Sequence, residues 1–245
     1  MKRDSNSYIF LYSTLLIVVV AVLLAVAATA LRPAQLENEK TEKRVQILSA
    51  IGVTGEVENQ KDKKAYVRDL YAKYIKEELV VTYAGAAQAS GEAFELSMDE
   101  QLKQQAKSND GKFPVFVAQL DDGSRKYIFP MAGSGLWGPI WGYMALNDDL
   151  NTVFGAAFSH KGETPGLGAE IETEHFSNEF KGKQLYDGSA FRSIAVVKRG
   201  AQGPYQVDGI TGGTMTSQGV QRMIEGSLSV YGQYIAQQRK GVINE

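Results

Sequence analysis

Asp208-Gly209-Ile210-Thr211-Gly212-Gly213-Thr214-Met215-Thr216-Ser217 carries a short strand-like run, Tyr205–Ile210, into a long amphipathic one. The spacing predicts a strand, a glycine loop and a helix in succession. At such a junction free backbone N–H groups and the positive end of the helix dipole favour an anion such as phosphate. It is not a Walker loop, because no Lys-Ser/Thr follows at the required place, and it is not GxGxxG. Four hydroxyls crowd the turn: Thr211, Thr214, Thr216 and Ser217. One would serve as a helix cap. The helix itself is expected over about Ser217–Gln238, with Val220, Ile224, Leu228, Tyr231 and Ile235 on one stripe.

Two further glycine-rich stretches lie upstream. Ala132-Gly133-Ser134-Gly135-Leu136-Trp137-Gly138-Pro139-Ile140-Trp141-Gly142-Tyr143 holds both tryptophans of the chain. Glycines let a backbone approach a flat ligand and tryptophans supply stacking faces. Equally, a glycine-rich bend can send its tryptophans into the core. Gly162-Glu163-Thr164-Pro165-Gly166-Leu167-Gly168-Ala169-Glu170 contains Pro-Gly, a type II turn signal. A plain turn accounts for Pro165 and Gly166. It leaves Glu163, Thr164 and Gly168 unexplained.

The remaining soluble part reads as helices followed by strands. Thr41–Ile51 is a helix closed by Gly52 and Gly55, and Val67, Leu70, Tyr71, Tyr74 and Ile75 follow helical spacing. Ser97-Met98-Asp99-Glu100 is a capping box that starts a short helix. Phe113–Leu120 and Lys126–Met131 flank Asp121-Asp122-Gly123-Ser124, a hairpin signal. Trp141–Leu146, Val153–Ser159 and Ser193–Lys198 are further strands. The order implies an α+β domain with a mainly antiparallel sheet and flanking helices.

Tyr8–Leu31 is an uncharged, almost wholly apolar run. As a helix its 24 residues reach about 36 Å, enough to cross a hydrocarbon core of about 30 Å. Ala28-Thr29-Ala30 fits a signal-peptidase pattern, but the run exceeds the usual apolar region of a signal peptide. It reads as an uncleaved transmembrane helix ended by Pro33, with Glu37–Lys43 a solvated stalk. Lys2 and Arg3 point to a cytoplasmic N-terminus. The expected division is an anchor over 1–31 and one extracytoplasmic domain over 32–245.

Composition narrows the chemistry. Among 245 residues there is no cysteine, and the only histidines are His160 and His175. Thiolate metal sites, iron–sulfur clusters and thiol nucleophiles are excluded, and a multi-histidine metal site is improbable. With 26 basic against 28 acidic residues there is no polybasic signature for nucleic acid. Glu163, Glu170, Glu172 and Glu174 read as a solvated acidic face. No arrangement resembles a Ser-His-Asp site. From the residues alone, an anchored module whose glycine loops hold an anionic ligand remains open.

Asp208-Gly209-Ile210-Thr211-Gly212-Gly213-Thr214 resembles the Asp-Gly-x-(Ser/Thr)-Gly-Ala-Thr flavinylation motif of FMN-binding domains in bacterial respiratory complexes, with Gly213 where alanine is usual. The N-terminal span, Gly-Leu-Trp-Gly-Pro-Ile, Gly-Glu-Thr-Pro-Gly-Leu-Gly and the C-terminal helix occur in the order seen in C subunits of the Na⁺-translocating NADH:quinone oxidoreductases. The resemblance covers essentially the whole chain. It implies FMN joined through its phosphate to the Thr214 hydroxyl by a flavin transferase, with Thr216 as the fallback hydroxyl. Thr211, Gly212 and Gly213 would form the loop. Trp137, Trp141, Leu167 and Met215 are candidates to cover the ring, and Glu163 and Thr164 to hydrogen-bond its edge or the ribityl chain. It also implies partner subunits of a respiratory complex in the bacterial inner membrane, with the main domain periplasmic. The span carries no set of charged residues, so Na⁺ would cross elsewhere, and NADH would bind another subunit. The FMN subunit of the ferredoxin-linked Rnf complex shares the motif and is the alternative.

Overall fold

The computed structural model describes residues 6–243, and side chains as far as Arg239. Lys2, Arg3 and Asp4 lie outside the described residues. The chain forms two compact units, Met1–Lys43 and Arg44–Glu245.

Helix α1 spans Asn6–Ser49. Its apolar part has a mean hydropathy of 2.9, long and apolar enough to cross a membrane, and none of it is buried within the protein. The expected end at Pro33 is not observed, because the helix continues through it. Proline removes one backbone donor and leaves the Thr29 carbonyl without its intrahelical partner. The residues on either side, Ala-Ala-Thr-Ala-Leu and Leu-Glu-Asn-Glu-Lys, are mostly strong helix formers that outweigh one lost bond. The charged stretch Glu37–Lys43 is therefore helical.

The second unit is built on a six-stranded antiparallel sheet, β1 (Ile75–Thr82), β2 (Ala87–Ala89), β3 (Lys112–Gln119), β4 (Arg125–Ser134), β5 (Pro139–Leu146) and β6 (Val153–His160). Its order is β2-β1-β3-β4-β5-β6. Strand alternation divides the core in two. Phe116, Ala118, Ile128, Tyr143 and Ala145 face the end of α1 (Ile47, Leu48) and α2 (Lys63–Tyr74). Phe113, Val115, Phe129, Met131, Ile140 and Met144 face the other way, toward α3 (Met98–Ser108), α4 (Glu174–Asn178), α5 (Thr214–Ser229) and α6 (Gly232–Ile243). Four short strands complete the fold: the hairpin β7 (Tyr186–Asp187) and β8 (Ala190–Phe191), and the parallel pair β9 (Ala195–Val197) and β10 (Gln206–Asp208).

Three expectations need correction. Strands β1 and β2 precede α3, so the helices do not all come first. Lys76-Glu77-Glu78 hides β1 behind a charged start, yet Leu79, Val80 and Val81 pair with both β2 and β3. The last helix is two helices, broken at Val230 and Tyr231, where the Tyr231 hydroxyl turns inward and donates to the Pro114 carbonyl at 2.9 Å. It also starts earlier than Ser217, with Gly213 as N-cap. Ser97 does cap α3, but through its carbonyl, with no side-chain bond.

One contact fixes the start of α5. A side chain at Gly219 would stand 2.5 Å from the Ser134 carbonyl, so its absence lets the helix lie directly on the end of β4. Ser227 adds a second tie, accepting from the Ala132 N–H at 3.0 Å.

Candidate functional site

Strand β10 delivers the chain into a loop held from several sides. Asp208 Oδ1 accepts from the Ala201 N–H at 2.7 Å, and the Gly209 N–H donates to the Val197 carbonyl at 2.7 Å. Ser217 Oγ reaches back to accept from the Ile210 N–H at 2.9 Å. No hydroxyl caps the helix at its Gly213 N-cap, and Ser217 staples the loop instead. Gly212 has φ +78, the left-handed region, and an added Cβ would lie 2.6 Å from Leu167 Cδ2. Thr214 follows as the first residue of α5.

This junction forms one wall of a cavity of about 290 Å³. That volume sits at the lower edge of the roughly 300–1,000 Å³ common for small-molecule sites. Gly212, Gly213, Thr214, Met215 and Thr216 come from the loop and α5. Glu163, Thr164, Leu167 and Gly168 come from the loop after β6. Leu136 and Trp137 come from the β4–β5 hairpin, whose tip is closed by the Gly135 N–H donating to the Gly138 carbonyl at 2.8 Å. All three glycine-rich stretches therefore meet at one place.

The cavity has an apolar rim. Outside α1, the exposed large hydrophobic side chains among the described residues are Tyr83, Leu136, Trp137, Leu167 and Met215. All but Tyr83 surround this cavity. Exposed apolar groups gathered in this way mark a binding surface. Its floor is polar. Glu163 is only 4% exposed, and its Oε2 accepts from Thr216 Oγ1 at 2.6 Å.

The three threonines differ sharply. Thr216 is 1% exposed and its hydroxyl is committed to Glu163. Thr211 is exposed but does not line the cavity, and its Oγ1 accepts from Arg199 Nη2 at 3.3 Å. Thr214 is both exposed and part of the wall. Of the eleven residues named for the site, Thr211 and Trp141 fall outside the lining. Trp141 lies elsewhere: it packs on the opposite sheet face and its Nε1–H donates to Gln46 Oε1 at 2.8 Å. Leu136 is a lining residue that the sequence pattern did not single out, and Gly168, which a plain turn left unexplained, is another. Each sits inside a glycine-rich stretch, next to a predicted site residue.

The acidic residues do not converge. Glu170 Oε1 accepts from the Gly166 N–H at 3.1 Å, and Glu172 Oε1 from the His160 N–H at 3.2 Å. His160 Nδ1 in turn accepts from the Glu163 N–H at 3.1 Å.

Residues 135–229 match the FMN-binding domain family, and that span contains every lining residue of the cavity. The C subunit of the Na(+)-translocating NADH-quinone reductase of Vibrio vulnificus is 32% identical over 244 residues, 92% of each chain. The chain belongs to this C-subunit family. Its Pseudomonas aeruginosa relative is 29% identical over 257 residues, 98% of each chain. The crystal structure of the Parabacteroides distasonis relative is 43% identical, with a TM-score of 0.72 over 84% of this chain and 96% of that one. NqrC of Shewanella oneidensis, at 27% identity and a TM-score of 0.67, covers 84% and 99%. Within that family, this chain carries an apolar N-terminal helix and an FMN-binding domain of the α+β type.

Proposed function

We propose that this chain is the electron-carrying C subunit of a Na⁺-translocating NADH:quinone reductase, with FMN joined by a phosphoester bond to Thr214. The observation that carries the reading is the contrast among the threonine hydroxyls. Thr214 alone of Thr211, Thr214 and Thr216 is both exposed and in the cavity wall.

The residues present fit FMN. A phosphate on Thr214 Oγ1 would lie at the start of a 16-residue helix, where unpaired N–H groups and the dipole stabilise an anion. The missing side chain at Gly212 makes room for Leu167, and that at Gly213 for Ile210, so the loop closes on the cavity wall beside Thr214. Leu136, Trp137, Leu167 and Met215 offer apolar cover to a flat ring, and Thr164 offers an exposed hydroxyl near them. A threonine alcohol is a weak nucleophile, so attachment calls for an external flavin transferase that supplies the activated phosphate. The alcohol loses its proton as its O–P bond forms, and the bond from that phosphorus to the activating group breaks as the group departs. Bound FMN supplies electron uptake and release. The protein's part is to hold the ring at an open rim where partner subunits reach it.

The apolar helix α1 supports anchoring in the bacterial inner membrane, residues 1–31 forming the anchor and 32–245 the FMN domain on the periplasmic side. The names of the relatives favour the NADH-linked complex over the ferredoxin-linked one.

The test is direct. Co-expression with a flavin transferase in a host that exports the domain should give a band that fluoresces on a denaturing gel. Thr214→Ala should abolish it. A wild-type chain without a fluorescent band, or a band that survives Thr214→Ala, overturns the assignment.

A further inference from the structure

Two glycines, Gly168 in the cavity lining and Gly135 next to Leu136 of that lining, are not explained by a left-handed backbone, since neither adopts positive φ. A Cβ on Gly135 would stand 2.4 Å from Glu163 Oε1, and one on Gly168 would stand 2.4 Å from Glu163 Oε2 and 2.5 Å from Thr216 Oγ1. Both therefore make room for the same carboxyl group. That carboxyl is 4% exposed, and both of its oxygens are used. Oε1 accepts from the Trp137 backbone N–H at 2.8 Å, and Oε2 from Thr216 Oγ1 at 2.6 Å. The backbone of Glu163 is itself fixed, its N–H donating to His160 Nδ1 at 3.1 Å.

Glu163 thus ties the tip of the β4–β5 hairpin to the first turn of α5. The carboxyl holds Trp137 by its backbone N–H, while the indole side chain is 69% exposed. Thr216 lies two residues beyond Thr214 on the same helical turn. We propose that Glu163 is a positioning residue: its carboxyl sets the distance between Trp137 and the start of α5, and so the width of the cavity, without itself touching a ligand. Two hydrogen bonds carry this role rather than the negative charge. The proposal deepens the flavin reading above and rests on it for its link to the cofactor.

Glu163→Gln and Glu163→Ala separate the two contributions. Gln keeps the acceptor for the Trp137 N–H, and its amide N–H can donate to Thr216 Oγ1, a hydroxyl that accepts as readily as it donates. Ala removes both bonds. In the full chain carrying FMN, Glu163→Gln should leave the flavin absorption spectrum and its quenching by iodide as in wild type. Glu163→Ala should shift the spectrum and raise iodide quenching while the fluorescent gel band remains. If Gln changes the spectrum as much as Ala does, the charge is what matters and the proposal fails. It fails too if Ala leaves both readouts unchanged.

Should the wild-type chain carry no flavin, the functional reading falls, and the brace is then judged on tryptophan emission of the flavin-free chain. A red shift with Ala but not with Gln supports it, and equal spectra overturn it. Should Glu163→Ala not fold, Gly135→Ala makes the same test from the hairpin side. In an otherwise wild-type chain it should shift the tryptophan emission by displacing the Glu163 carboxyl from the Trp137 N–H, and an unchanged emission spectrum overturns the brace.

Discussion

Thr216 donates to Glu163 across 53 residues of sequence, Oγ1 to Oε2 at 2.6 Å, in the buried floor of the cavity. The bond decides which threonine is free. A hydroxyl already spent on a buried carboxyl is a poor site for a phosphoester, and esterification would leave Glu163 Oε2 without its donor.

Thr216→Ala is therefore expected to keep covalent flavin while destabilising the domain. A hydrogen bond to a charged group contributes about 1.5–3 kcal/mol. Thr216→Ser retains the oxygen and should recover most of the loss. Thermal unfolding of the full chain in detergent measures the stability, and in-gel fluorescence measures the flavin. A dark gel band for both variants would contradict the assignment of Thr214.

How far the site was legible follows from the same residues. The strand–loop–helix junction was readable because Asp208–Ser217 concentrates glycines and hydroxyls where two periodicities meet. Glu163 was readable as unexplained, but its partner was not, since nothing local marks a bond to Thr216. Trp137 and Trp141 stand four apart in one glycine-rich stretch. Only the hairpin register, with Ser134 opposite Pro139, puts Trp137 at the tip and Trp141 on the far face. Thr211 shares the motif, yet the positive φ at Gly212 turns the chain and leaves it outside. For the fold, apolar periodicity found the sheet core and the helices. It missed β1, whose Ile75 continues the helical spacing before it and whose next three residues are charged, and the break at Tyr231, which depends on the distant Pro114 carbonyl.

Gly212→Ala carries two separable costs. The left-handed φ of +78 penalises a Cβ by about 1–2 kcal/mol, and that Cβ would lie 2.6 Å from Leu167 Cδ2. Leu167→Ala should relieve the second cost and not the first. For a domain of this size each kcal/mol lowers the midpoint by about 2–4 °C. The double variant should thus lie closer to Leu167→Ala alone than additivity predicts. Strict additivity would show that the two groups do not meet.

Alkaline stability should fall above pH 10. Burial pushes the phenol of Tyr143 well above its ordinary 10.0, and burial likewise raises Tyr231. Above pH 10 the unfolded chain releases these protons while the folded chain retains them. The unfolded state then binds fewer protons, so unfolding becomes easier as pH rises, by about 1.4 kcal/mol per pH unit for each such tyrosine. The contribution is fully present below pH 10 and is lost above it, up to the raised folded value. Urea unfolding at pH about 9 and about 11 should show a shallower decline for Tyr143→Phe than for wild type.

Gly213 stands where the flavinylation motif usually has alanine, and its neighbours give the reason. Its backbone, at φ −106 and ψ 34, is open to other residues, so conformation does not demand glycine. Space does. An added Cβ would meet Ile210 Cγ2 at 3.0 Å, Ile210 Cβ at 3.2 Å and the Gly168 nitrogen at 3.4 Å. Ile210 packs against the main core and cannot swing aside freely. Gly213→Ala is expected to cost about 1 kcal/mol, at the lower end for overpacking. Ile210→Ala frees the space, so the same substitution should cost less in that background. The flavin content of Gly213→Ala should match wild type, because Thr214 keeps its place as the first residue of α5. Mass spectrometry of the intact chain reads the attached flavin, and thermal unfolding of the four chains reads the coupling. An equal cost in both backgrounds would show that Ile210 is not what excludes alanine here.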